Sequence, residues 1–211
     1  MKKFLTISAL ALALSYSLSA QEHGRPRSTP APAPTPPITR TPVTRTPATA
    51  TATTVRDSSV RDVSGWIKFS SAAGRFSVLM PEAPTDKAET TPSEHGPYTT
   101  HLFIVRDTIS IYLIGWVDYD PSFNFNRQAE LEANRDNFVK GINATLLTSS
   151  RTTIDGYQAI EFVAETTDRV FKSRVYLVGR RPYQIVIGTT KGKDDSVQTS
   201  RFFNSFKINP S

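Results

Sequence analysis

His95 and His101 stand six residues apart in a stretch that also holds Glu94 and Asp107. Imidazole with carboxylate is a donor set that zinc accepts, in groups of three or four. The spacing argues against convergence. Position 95 falls in a Gly-Pro turn and position 101 in a strand, while His23 is remote, in a proline-rich segment. No metal is expected. A Ser-His-acid triad has its residue types here, but no G-x-S-x-G elbow sets a serine on a strand-to-helix turn. Asp118-Tyr119-Asp120 offers carboxylates for acid/base work or cation binding. Pro121 follows at once, which reads as a strand exit and turn, and no loop dense in oxygen ligands is present. Gly188, Gly192 and Lys193 precede a helix, yet a phosphate loop needs Ser or Thr after its lysine, where Asp194 stands. No cofactor is expected.

Two groups suit binding. Arg174, Arg180 and Arg181 with Tyr183 form a basic, aromatic-flanked patch for an anionic partner; the alternative is a solvated hairpin tip. Tyr112 and Trp116 alternate on one strand face. With Phe138 they would line a cleft between sheet and helix for a small ligand; the alternative is a core position beneath a helix. Asn143-Ala144-Thr145 matches a glycosylation sequon, which matters only in a eukaryotic secretory host.

These residues sit in a chain of three textures. Lys2 and Lys3, an apolar run from Phe4 to Leu14, and small residues Ser17, Ser19 and Ala20 follow the order of a bacterial secretory signal over residues 1–20. The run is about ten residues long, and a membrane-spanning helix needs about twenty, so cleavage after Ser19 or Ala20 is expected. Residues 21–62 are rich in Pro, Thr and Ala and lack aromatics, the composition of a disordered, extended tether. The net charge is +6, but Lys2, Lys3 and the arginines of residues 21–62 carry nearly all of it. The remainder is close to neutral, which excludes the electrostatic footprint of a nucleic-acid binder. The basic tether suits weak contact with an anionic surface. With no cysteine, the chain has no disulfide, no thiol nucleophile and no lipidated cysteine.

Residues 63–211 are expected to form a single domain. Trp66–Ser70 and Arg75–Met80 read as strands about the Ala73-Gly74 turn, and polar Asp86–Ser93 as an edge strand. Tyr98–Arg106 is apolar on both faces, which predicts a central strand, and Thr108–Val117 follows past Asp107. Asn126 is placed to cap a helix through Lys140, with Leu131, Phe138 and Ile142 on its buried stripe and Glu130 among the outward residues. Ala144–Ile154, Tyr157–Thr166, Arg169–Val178 and Pro182–Thr190 make an antiparallel meander. A last helix begins near Asp194 or Asp195, whose carboxylates would cap it, and buries Phe202 and Phe206. Trp66, Phe76, Leu113, Phe162, Val175 and Ile185 are expected core residues. The order predicts an α+β fold, a mainly antiparallel sheet with helices packed on its faces.

Gly74–Pro81 (GRFSVLMP), the Ile154–Phe162 hairpin (IDGYQAIEF), Arg174–Val178 (RVYLV) and Phe202–Phe206 (FFNSF), in this order, resemble the PsbP-like domains of exported bacterial proteins. The resemblance spans residues 63–211 and none of the tether. It implies an α/β/α sandwich whose relatives act mostly by docking onto other proteins, with no common catalytic site. No photosystem-specific pattern is present to carry over. The expected function is therefore a non-enzymatic, exported interaction or assembly module, periplasmic or extracellular, docking another protein of the envelope or periplasm. A small-ligand carrier is the alternative, and a hydrolase with a non-motif site stands third.

Overall fold

The computed structural model describes residues 62, 65–193 and 195–209. The expected signal and most of the expected tether therefore lie outside the described residues. Among the described residues ten strands and two helices follow one another: β1 (Ile67–Ser71), β2 (Phe76–Met80), β3 (Thr85–Thr91), β4 (Tyr98–Arg106), β5 (Ser110–Tyr119), α1 (Glu130–Gly141), β6 (Thr145–Ile154), β7 (Tyr157–Glu165), β8 (Arg169–Val178), β9 (Arg181–Thr190), α2 (Ser196–Ser205) and β10 (Lys207–Ile208).

β3 to β9 build one antiparallel seven-stranded sheet in the order β3-β4-β5-β9-β8-β7-β6. The order follows from which strands are apolar on both faces. β5 and β9 are buried along nearly their whole length and lie together at the centre, whereas β3 and β6 are exposed and lie at the edges. Helix α1 carries the chain from β5 across one face to the far edge, and the meander β6 to β9 returns it to pair with β5. The two-residue turn Asp155-Gly156 has φ of 51° and 82°, the left-handed pair that a type I′ hairpin loop requires.

Helices lie on both faces, as the sequence predicts. Under α1, Leu131 and Phe138 pack on the sheet, with Phe138 5.7 Å from Phe162 and 5.8 Å from Phe171. The opposite face carries more than a helix. β1, β2 and β10 form a separate three-stranded sheet, and α2 lies beside it. Trp66 meets Tyr112 edge-on at 5.4 Å, Phe76 meets Trp116 at 5.8 Å, and Phe202 meets Tyr112 at 5.3 Å. Trp66, Phe76, Leu113, Phe162, Val175 and Ile185 are all buried.

Three local expectations need correction. Asn126 accepts hydrogen bonds from the amides of Gln128 and Ala129, and so forms a turn ahead of α1, whose first residue is Glu130. Glu130 points inward, not to solvent. Asp195 stands at the start of α2, but its carboxylate makes no cap; it accepts from the Ser110 hydroxyl on β5. Among the described residues no helix is long and apolar enough to cross a membrane.

Candidate functional site

The sequence-predicted basic patch is taken up by internal partners. At the end of β5, Asp118 accepts from Arg181 Nε at 2.6 Å and from Trp116 Nε1 at 3.1 Å, and His101 Nε2 lies 3.3 Å away. The His101 ring stacks on Trp116 at 4.3 Å. Arg181 also donates to the Ala73 carbonyl, which ties the β1–β2 turn to the large sheet. Burial pushes the Asp118 carboxyl up, but its partners His101, Arg181 and Trp116 outweigh this and hold it below the ordinary aspartate range. Arg180 donates to the carbonyls of Asp120 and Phe123 and lies over the Phe125 ring. Tyr183 is buried in the core. Arg174 is separate from this group. It lies farther along β8, with Phe206 packed on Tyr176 and Tyr183 between.

The other polar constellations serve the fold. Glu130 accepts from Tyr119 Oη at 2.6 Å and from Asn134 Nδ2 at 2.7 Å, in a site where the residue is only 2 % exposed. Burial raises its carboxyl above the ordinary range, against those two hydrogen bonds. Tyr112 Oη donates to Asp107 at 3.1 Å and faces Asp195 at 3.5 Å; burial first, then both carboxylates, push the phenol far up. His95 pairs with Glu94 at 3.5 Å in the turn before β4, whereas His101 lies within β4 beside Asp118. Asp120 accepts from Ser122 in the turn after β5. Tyr112 and Trp116 belong to the core on one face of the sheet and Phe138 to the core on the other. The three do not line one cleft.

A hollow of about 380 Å³ lies beside Asp118, Tyr119, Arg180 and Arg181. Another lies on the sheet itself. On the face that carries α2, the cover stops short of the β6 edge and leaves a trough of about 360 Å³. Its floor is Thr148 and Ser150 on β6, Glu161 and Val163 on β7, and Lys172 and Arg174 on β8. Strand alternation puts all six on this face, because Thr148 pairs with Val163, Ser150 with Glu161, and Arg174 with Glu161 across the ladder. Helix α2 makes the wall, through Thr199, Ser200, Phe203 and Asn204. Arg174 Nε donates to Glu161 at 2.6 Å while its guanidinium lies 4.8 Å from the Phe203 ring centre. Lys172 is exposed. The result is a shallow, hydroxyl-rich surface with a fixed arginine and a projecting lysine. Of the sequence-predicted patch, Arg174 alone lines it.

No family model matches the chain, and no curated protein matches it. Among solved structures it is similar to the solution structure of cyanobacterial PsbP (CyanoP) from Synechocystis, at 12 % identity and TM-score 0.48, covering 68 % of this chain and 92 % of that one. It is also similar to a crystal structure from Bacteroides thetaiotaomicron, at 16 % identity and TM-score 0.36, covering 68 % of this chain and 48 % of that one.

Proposed function

We propose that this chain is an exported, non-enzymatic interaction module that docks another protein of the envelope or periplasm on the open floor of β6, β7 and β8. The trough carries this reading. It is a sheet surface of short hydroxyls, Val163, the Arg174–Glu161 pair and Lys172, left uncovered beside the helix and small sheet that cover the rest of that face. Such a surface suits a polar partner with acidic side chains, met by Lys172 and by the outer edge of Arg174. The ordered motifs that resemble PsbP-like domains support docking as the mode of action. The proline-rich segment ahead of the folded part suits a spacer that presents it away from an attachment point.

Affinity capture from the native periplasm, with the full chain as bait, tests the reading. A stoichiometric partner is expected with the natural chain. It should be lost with Lys172→Glu plus Thr148→Arg, two exposed substitutions that leave the melting temperature unchanged. Equal capture by both baits, or a co-purifying small molecule in place of a protein, would overturn docking at this floor.

A further inference from the structure

The two edges of the seven-stranded sheet are treated differently. β3 carries Asp86, Lys87 and Glu89 and is flanked by Pro84 and Pro92, the devices that keep an edge from pairing with another strand. β6 is ten residues long, reads Thr-Leu-Leu-Thr-Ser-Ser-Arg-Thr-Thr-Ile, and contains no proline and no lysine. Its one charge, Arg151, is turned under α1, where it pairs with Glu132 at 2.6 Å and donates to the Gln128 carbonyl. Among the described residues β6 ladders with β7 alone, and its outer backbone edge meets no other strand. Three large apolar side chains are exposed among the described residues, and two of them, Leu146 and Leu147, are on β6. A bulge in the β6–β7 ladder lies between Leu146 and Thr148, so the stretch from Thr148 to Ile154 is regular.

We propose that the outer edge of β6 pairs with β6 of a second copy of this chain, antiparallel about Ser150, to make one continuous sheet across a two-fold axis. The occupant is chosen by self-complementarity. With Ser150 facing its own copy, Thr148 faces Thr152 of the second copy and Ser149 faces Arg151 of the second copy. A threonine pair is a favourable neighbour across a ladder, and Arg151 stays neutralised by Glu132 of its own copy. The near-neutral balance of residues 63–211 adds little repulsion between copies. A two-fold axis perpendicular to the sheet keeps the same face upward in both copies. The two troughs then join across Ser150 and Thr148 into one floor of double width.

Pairing is read on the purified full chain, so it succeeds or fails independently of the docking reading. Sedimentation velocity should show a dimer that dissociates on dilution. Ser150 is exposed and sits on the axis, so Ser150→Glu and Ser150→Lys should each give a monomer with an unchanged melting temperature. An equimolar mixture of the two should restore the dimer. In this cysteine-free chain, Ser150→Cys should form an intermolecular disulfide on mild oxidation, since facing residues across an antiparallel ladder have the Cα separation a disulfide accepts. Glu89→Cys, on β3, should not. A chain that stays monomeric at the highest soluble concentration would overturn the proposal. So would a dimer that survives Ser150→Glu, or one that cross-links through residue 89 and not through residue 150.

Discussion

Glu130 and Asp118 are both carboxylates that hold a helix or strand end to the sheet, yet their environments push them in opposite directions. Glu130 is buried with two neutral donors, and its carboxyl is raised. A raised folded value means the folded state binds the proton first, so this group adds stability as pH falls toward the unfolded value of 4.5 and takes it away as pH rises. Asp118 is held below its unfolded value of 3.8. Its contribution is present above that value and is lost as pH falls below it. Glu130→Gln should therefore flatten the pH dependence above pH 4.5, with the natural chain gaining on the variant as the solution is acidified toward that value. Asp118→Asn should instead flatten the acid limb below about pH 4. It should cost only ~0.5–1 kcal/mol at neutral pH, because the Asp118 side chain is 40 % exposed and solvent screens the pair. Melting temperatures of the three proteins across pH 3–8 check both signs. Parallel curves for the natural chain and Glu130→Gln would contradict the burial argument.

At the scale of elements, two glycines separate steric from conformational cost. Gly188, in β9, lies against the Phe171 ring, and a Cβ there would sit 2.5 Å from Phe171 Cε1. Phe171 is itself buried against Phe138 and has nowhere to move. Gly188→Ala should cost ~1–3 kcal/mol by overpacking. Gly156 has open space around it but a φ of 82°, so Gly156→Ala should cost about 1 kcal/mol through backbone strain alone. Adding Phe171→Leu should recover part of the first loss and none of the second, measured by urea unfolding. The Asp155-Gly156 hairpin was legible in the sequence because its cause is local, in residues that tolerate positive φ. The interior place of β4, second from the edge, was legible because its apolar residues fall on both faces; that β5 and β9 would lie at the centre was not. Glu130 was not. Its partner Tyr119 comes from β5, and helix periodicity carries no information about what a neighbouring strand offers. The same holds for Asp195, whose partner Ser110 is 85 residues away. The small sheet was missed because β1 and β2 look like any half-buried strands, and β10 is two residues long. Arg174 stood in the predicted patch for its charge, but the trough it lines depends on where α2 ends its cover, which no local pattern encodes.

The described residues form one large sheet covered on both faces, and the second cover depends on α2 and the phenylalanine that follows it. Phe202 and Phe203 project from α2, and Phe206 follows directly; all three are buried. Phe206 touches Phe76 on the small sheet and Tyr176 on the large one, and so joins the two. Burying each ring contributes about 2–3 kcal/mol, so losing all three removes an amount comparable to the whole margin of an ordinary domain. β10 adds the pairs Lys207 with Ser77 and Ile208 with Phe76, an exposed Lys207–Asp155 ion pair and the partly buried Ile208 side chain. The aromatic plug, more than the short strand, is what fastens the hairpin β1–β2. A chain ending after Phe206 should keep a single cooperative urea transition with a slightly lower midpoint. A chain ending after Asp195 should lose its near-ultraviolet circular dichroism and bind a hydrophobic dye, while the face under α1 keeps part of its far-ultraviolet signal. If the shorter chain unfolds as cooperatively as the longer one, the two faces of the sheet are stabilised independently, and the plug is not the joint that couples them.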